Sequence, residues 1–400
     1  MPQLTRRQFL YGSAAALGSL SVGPRSLLWA ASAGKGLPKK PDKSGIKHVV
    51  VVMMENRSFD HLLGWLPGVD GKQAGLVYTD NQGAAFQTYP LAPDFQGCGH
   101  PDPDHSYDGG RVEYDDGLCD GWLRAGANDR YAIGYYTQGD LPFLGKAAPD
   151  WTVCSRYFAP IMAPTYPNRI YQHAAVTDRL DDSLTLCTLP TIWDRLADAG
   201  LRGRYYFSDT PFIALWGPKY VPITRPYAQF LLDCAAGNLP EVSFVDPPFF
   251  SEDAGTSSDD HPHGDVRAGE SWLYRTYRAV TTGRDWKHTV MVINFDEWGG
   301  FFEHVPPEEA PDVDSAFALR GFRVPCIIVS PFSVPGTIAP GVYDHTSILK
   351  MIEWRWSLPA LSVRDAAANN LAEALNFNVE RHTAPDYVVP PFVSAPCPSP

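Results

Sequence analysis

The chain has 400 residues, 44% hydrophobic and 20% charged, enough apolar material for one large core or two ordinary ones and too much for a disordered chain. Its formal net charge is -12 at pH 7. Phosphate backbones are bound through clustered Lys and Arg, so no nucleic-acid partner is expected.

The N-terminus reads Thr5-Arg6-Arg7-Gln8-Phe9-Leu10, followed by a small-residue apolar run over 11–23 and then Ala31-Ser32-Ala33. An arginine pair, an apolar stretch and a small-residue cleavage site in that order read as a twin-arginine signal peptide over residues 1–33. Residues 34–400 are then expected to form a single catalytic domain with loop insertions and a Pro-rich C-terminal tail. The twin-arginine export machinery is an expected partner, and the processed protein is expected to be periplasmic or secreted. No later segment approaches the roughly 20 apolar residues that span a bilayer, so no stable membrane anchor is expected. Cysteines 98, 119, 154, 187, 234, 326 and 397 are scattered without Cys-x-x-Cys spacing, which argues against a cysteine metal site and leaves at least one of the seven unpaired.

Residues 46–54 are nearly all apolar and rich in Val, the pattern of a strand buried on both faces. Similar runs at 242–245, 289–295 and 324–329 alternate with helical patterns at 191–200, 268–282 and 347–356. The alternation predicts a three-layer α/β/α fold around a mainly parallel sheet. Ligands of such sheets sit at the carboxyl ends of the strands. There the sequence places Glu55-Asn56, Asp246, Asp296-Glu297 and Ser330-Pro331. Asp246, followed by Pro247-Pro248, reads as a local cap; Glu55 and Asp296 read as functional. The stretches 68–144 and 251–269 read as long loops over the active face.

Three motifs carry the chemistry. Met54-Glu55-Asn56-Arg57-Ser58-Phe59-Asp60-His61 sets a charged and a neutral oxygen side by side, suited to a hard divalent cation. In Asn294-Phe295-Asp296-Glu297-Trp298-Gly299-Gly300, adjacent carboxylates repel unless a cation or solvent separates them, and at a sheet mouth a cation is the better explanation. In Ala163-Pro164-Thr165-Tyr166-Pro167-Asn168-Arg169, flanking prolines fix a hydroxyl that a metal ion would activate as a nucleophile. Arg169 reads equally as a clamp for a phosphate oxygen or as a partner for a carboxylate.

These stretches, MMENRSFDHLLG, APTYPNR and FDEWGGFFEHVPP, with VYDHTSILKMIEWR behind them, resemble the bacterial phosphoesterase family of phospholipases C and acid phosphatases, within the alkaline-phosphatase-like superfamily. The resemblance runs from about residue 46 to 361. It implies that Glu55, Asn56, Asp296 and Glu297 bind a divalent metal, with Thr165 both ligand and nucleophile, and an all-oxygen set points to calcium, magnesium or manganese before zinc. It also implies that His105, His261 and His304 assist catalysis and that Asn168, Arg169 and His263 bind substrate. His345, beside the helix-start residues Asp344, Thr346 and Ser347, reads as a cap or supporting residue. Phospholipases of the family often continue into C-terminal β modules, which are not present through Pro400, so lipid-surface binding is expected to be weaker. The aromatic residues Tyr131, Tyr135, Tyr136, Phe143, Trp151, Tyr157 and Phe158 read either as packing or as a pocket for a choline-like head group.

The expected activity is hydrolysis of a phosphate ester through a phosphothreonine, with a small phosphate ester or phospholipid head group as substrate and phosphodiesters of the phospholipase C type preferred. The alternatives are an acid phosphatase acting on monoesters, or an exported binding protein that has lost the chemistry.

Overall fold

The computed structural model describes residues 36–250, 252 and 254–398, so the expected signal peptide lies outside the described residues. The Val-rich run at 46–54 becomes the central strand β1 (His48–Met54), all but its first residue buried. Seven further strands complete its sheet: β2 (Thr152–Cys154), β3 (Gly203–Phe207), β4 (Thr224–Pro226), β5 (Val242–Val245), β6 (Thr289–Phe295), β7 (Cys326–Val329) and β8 (Ile338–Ala339), in the order β8-β2-β7-β6-β1-β5-β3-β4. β1 pairs in parallel with β5 on one side and β6 on the other.

β7 alone runs against the rest, antiparallel to both β6 and β2. This corrects the expectation for Ser330-Pro331. The end of a reversed strand lies at the amino edge of its parallel neighbours, and Ser330 Oγ accordingly donates to the carbonyl of Thr289, where β6 begins. Ser330 is thereby removed from the edge that carries Glu55 and Asp296.

The helices are α1 (Phe59–Leu63), α2 (Tyr107–Tyr114), α3 (Leu144–Asp150), α4 (Thr165–Ala174), α5 (Ile192–Asp198), α6 (Tyr227–Ala236), α7 (Val266–Thr282), α8 (His345–Trp356) and α9 (Val363–Ala367). α4 packs with α5 and α8, and α6 packs with α7, giving the two outer layers. The buried sheet between them explains why β1, β5, β6 and β7 read as unbroken apolar runs. Every residue of the aromatic cluster 131–158 named above is buried, so that cluster packs the interior. The C-terminal tail wraps the body: Tyr277 Oη donates to the Pro385 carbonyl at 2.6 Å, and Cys397 is disulfide-bonded to Cys98. The other five cysteines are free and buried. No helix of the described residues is long and apolar enough to cross a membrane.

Candidate active site

β1 and β6 run in register with Met54 opposite Phe295, so Glu55 and Asp296 leave the sheet together. The Asn56 amide then donates to Asp296 Oδ1 at 3.0 Å, with Asn56 held at φ 51°, a left-handed backbone that Asn tolerates. Gly299, at φ 63°, lies so close that a Cβ there would stand 2.0 Å from the Asn56 carbonyl oxygen. The first and third motifs are therefore pressed into one unit.

Thr165 is the first residue of α4. Pro167 is tolerated because the first turn of a helix has no internal partner for its N–H. Asn168 fixes the turn before the helix: its Oδ1 accepts from the Ile161 amide at 3.1 Å, and its Nδ2 donates to the carbonyls of Ala163 and Pro164 at 2.7 and 3.0 Å. The result places Thr165 Oγ1 3.1 Å from Glu55 Oε2 and 3.4 Å from Asn56 Oδ1.

One helical turn further on, Arg169 is 2% exposed and fully taken by carboxylates. Its Nη2 lies 2.5 Å from Glu55 Oε1, its Nη1 3.3 Å from Asp246 Oδ1 and its Nε 3.3 Å from Asp296 Oδ2. Burial opposes its charge, but Glu55, Asp246 and Asp296 outweigh burial and hold it protonated. Negative charge still exceeds positive. Burial, with Arg169 opposing, lifts Asp246 to about 6. Burial and the neighbouring Glu55 raise Asp296. Burial lifts Glu297 to about 8 against the pull of His105.

A divalent cation fits this surplus. Glu297 Oε2 accepts from the Gly299 amide at 2.7 Å, whereas its Oε1 is buried with no hydrogen-bond partner. That oxygen, Glu55 Oε2, Asn56 Oδ1 and Thr165 Oγ1 are hard donors of the kind that bind such cations. Asp296 is turned toward Arg169 and two backbone amides, so in this arrangement it braces the set from behind.

Two histidines face Thr165 across a cavity of about 240 Å³ that is also lined by Glu55, Asp102, Tyr166 and Asp182. His105 Nδ1 donates to the Pro103 carbonyl at 2.7 Å and His261 Nδ1 to the Pro262 carbonyl at 2.8 Å, while His105 Nε2 lies 3.2 Å from Asn56 Nδ2 and His261 Nε2 3.8 Å from Asp102 Oδ2, so both Nε2 atoms point to residues of the site. Burial favours the neutral His105 ring, but the charges of Glu297 and Asp102 overcome it and lift its pKa to about 10. Burial holds His261 below its ordinary value despite Asp102. Asp102, His105 and His261 offer ligand atoms within 4.8 Å of one another, a second group able to hold a metal.

Residues 46–359 match the family model described as Phosphoesterase family. The chain belongs to that family. It is 28% identical to non-specific phospholipase C4 of Arabidopsis thaliana over 402 residues, covering 87% of this chain and 75% of that protein. It is 29% identical to phospholipase C B of Mycobacterium tuberculosis over 458 residues, covering 94% of this chain and 86% of that one. Among solved structures, a protein in the alkaline phosphatase superfamily from Vibrio parahaemolyticus aligns with a TM-score of 0.42 and 9% identity, over 86% of this chain and 76% of that chain. This phosphoesterase is a hydrolase acting on phosphoric ester bonds.

Several of its residues stand elsewhere than the sequence implied. His304 does not line the Thr165 cavity. Its Nδ1 is bonded to Asp60 and its Nε2 lies 3.0 Å from Asp70 Oδ1, in a network where Arg323 reaches Glu303 Oε1 at 2.6 Å and Asp60 Oδ1 at 3.3 Å. That buried guanidinium already compensates the carboxylates, so the network ties the segment after β6 to α1. His263 Nε2 donates to the His100 carbonyl at 2.9 Å, outside the residues lining the cavity. Asn168 spends its amide on the turn, and Arg169 is a carboxylate partner, so neither is placed to hold substrate.

Asp246 is no bland cap, since it is one of the three partners of Arg169. Its position at the end of β5 was the available signal. Tyr166, Asp182 and Phe249 also line the cavity; nothing in their spacing marked Asp182 or Phe249.

Proposed function

We propose that this phosphoesterase is an exported, metal-dependent hydrolase of phosphodiesters of the phospholipase C type, working through a phosphothreonine at Thr165. The observation that carries the reading is Thr165 Oγ1, set between Glu55 and Asn56 and opposite His105 and His261 in one cavity. Thr165 donates its hydroxyl hydrogen to Glu55 Oε2, the acceptor for the proton it must lose. Its oxygen bonds to phosphorus while the bond from phosphorus to the alcohol oxygen breaks in line. The departing oxygen takes a proton from an imidazole Nε2, supplied by His105 or His261. Water then cleaves the phosphothreonine and restores the hydroxyl.

Glu55, Asn56, Thr165 and Glu297, with Asp296 behind them, are the residues that would hold a calcium, magnesium or manganese ion, which when bound lowers the hydroxyl pKa and offsets phosphoryl charge. The diester preference draws on the names of the relatives and on room: the cavity shares walls with two others, one on the His105 side and one at Tyr166 and Phe249, enough for two substituents on phosphorus.

The test compares p-nitrophenylphosphorylcholine with p-nitrophenyl phosphate, using the metal-loaded protein and Thr165→Ala. Faster turnover of the diester, lost in the variant, is expected. Substantial activity of Thr165→Ala overturns the nucleophile, monoester preference favours the phosphatase reading, and inactivity on both esters favours a binding protein. Export is proposed from Arg6-Arg7 and the apolar run that follows; an R6K/R7K chain should stay in the cytoplasm, and its normal export would overturn that proposal.

A further inference from the structure

Neither of the two histidines that face Thr165 stands on a helix or strand. His105 lies in the loop between Pro90 and Tyr107, and His261 in the loop between Val245 and Val266. Loop backbone has little restraint of its own, so the placing of the two rings depends on what ties the loops together. The rings meet edge to face with centroids 5.9 Å apart. Asp102, from the first loop, reaches to 3.8 Å from His261 Nε2 in the second.

The C-terminal segment ties both loops. Cys397 is disulfide-bonded to Cys98 in the first loop, and its amide donates to the Ala254 carbonyl in the second at 3.0 Å. Gln96, in the first loop, donates through Nε2 to the carbonyls of Gly255 at 3.0 Å and Ala395 at 2.6 Å. Ser394 Oγ accepts from the Asp265 amide at 2.7 Å. The loops also meet directly, through the Val266 amide on the Phe95 carbonyl at 2.9 Å and His263 Nε2 on the His100 carbonyl at 2.9 Å. These bonds converge at Gly255, where φ is 76° and a Cβ would stand 2.8 Å from Cys397 Sγ, from Gln96 Nε2 and from the His263 carbonyl oxygen. Tail and both loops are pressed together at that point.

We propose that residues 394–397 are a latch: closing the Cys98–Cys397 disulfide fixes His105 and His261 as a pair, and the leaving alcohol is protonated efficiently only in the oxidised protein. The proposal rests on the phosphoesterase reading of Thr165. Closure oxidises the two thiols, which give up two electrons and two protons as one sulfur–sulfur bond forms. A small disulfide such as oxidised glutathione accepts them and is reduced to two thiols. The proposed export would carry the chain from a cytoplasm that keeps thiols reduced to a compartment where disulfides persist, so that full activity appears only after transit. Gln96, Ser394 and Cys397 are positioning residues, since none of them lines the Thr165 cavity. The other five cysteines are free and buried, which leaves this bond as the one that a reductant opens.

The experiment compares the oxidised, metal-loaded protein with the same protein reduced by dithiothreitol and with Cys397→Ser and Gln96→Ala, at a temperature where circular dichroism shows them folded. Two phosphocholine diesters are the probes. p-Nitrophenylphosphorylcholine releases a phenolate that departs without a proton, whereas dihexanoyl phosphatidylcholine, kept below its micelle concentration, releases an alcohol that needs one. The steps within kcat/KM end when the alcohol departs, so hydrolysis of the shared phosphothreonine does not enter it. Reduction and Cys397→Ser should lower kcat/KM for the phosphatidylcholine about 100-fold, the scale of a catalytic group displaced by about 1 Å, and leave the p-nitrophenyl ester nearly unaffected. Gln96→Ala keeps the disulfide and should shift the ratio of the two esters in the same direction by less. Oxidised glutathione should restore reduced wild type but not Cys397→Ser. A ratio left unchanged by reduction and by Cys397→Ser, whether the two rates hold or fall together, overturns the latch. Should Cys397→Ser and the reduced protein fail to stay folded, Gln96→Ala decides, and an unchanged ratio there overturns the latch. Inactivity of the oxidised wild type on both esters would instead defeat the phosphoesterase reading, and the latch with it.

Discussion

His345 donates its Nε2 hydrogen to the backbone carbonyl of Asp296 at 2.8 Å. Its Nδ1 lies 3.2 Å from Tyr157 Oη and accepts from it, and burial holds the ring neutral with a pKa of about 3. α8 thus grips the end of β6 at the point where the acidic pair begins. His345→Ala should lower kcat about 10- to 100-fold, the usual cost of losing a group that orients a metal ligand. KM should change little. Steady-state kinetics with circular dichroism as a folding control checks this, and an unchanged kcat would limit His345 to packing.

Arg169 is the counter-charge for Glu55, Asp246 and Asp296. Arg169→Met leaves these carboxylates buried without it, at a cost of about 3–5 kcal/mol. Thermal melts should show the loss, and millimolar calcium, magnesium or manganese should restore part of it. Equal melting temperatures with and without a chelator would show that no cation shares the charge.

Asp344 caps α8 and is buried between Arg364 and Arg320, with Nη2 and Nε at 3.2 and 2.7 Å from Oδ2. Burial raises its pKa, but Arg364 and Arg320 overcome this and hold it below the ordinary carboxylate value. Its contribution is therefore complete above the unfolded-state pKa of about 3.9 and is lost as pH falls below that toward the depressed folded value. Asp344→Asn should cost about 3–5 kcal/mol at pH 7. The gap from wild type should narrow as pH drops below about 4, and denaturant melts at a series of pH values would read it. A gap constant with pH would show that the charge does not matter.

The Cys98–Cys397 disulfide links positions 299 residues apart, and Cys98 precedes Asp102 and His105 in the same loop. Cys397→Ser should lose about 2–5 kcal/mol, since the bond closes a very long loop. A reducing agent should reproduce the effect in wild type, because the remaining cysteines are free and buried. If neither treatment moves the melting temperature, the tail contacts alone secure it.

The long apolar strands were legible because burial on both faces leaves a continuous run, and 242–245 and 289–295 match β5 and β6. Direction was not legible: a buried strand reads alike in either sense, which is why Ser330 was assigned to the wrong edge. α4 was hidden by Pro164 and Pro167, whose turn-like appearance concealed that a helix accepts proline in its opening residues. β3 and the edge strand β4 were passed over because they are short and carry Arg204 and Arg225. Within the site, Glu55, Asn56 and Thr165 meet, and the strand-end rule located two of the three. His304 lies only seven residues from Glu297, yet chain spacing could not reveal that the segment beyond Gly299-Gly300 carries it to Asp60 instead.

The reversal of β7 keeps its connection from β6 at one edge of the sheet. Since β6 ends and β7 starts at the same edge, residues 296–325 need not return across a layer of the molecule, as a connection between parallel strands must. The segment contributes Glu297 and Gly299 to the catalytic centre early and Arg323 to the network with Asp60 and Glu303 late. Its middle can lengthen, shorten or change composition without disturbing strand order. Chain length can therefore vary in this connection while the strands that position Glu55 and Asp296 keep their places.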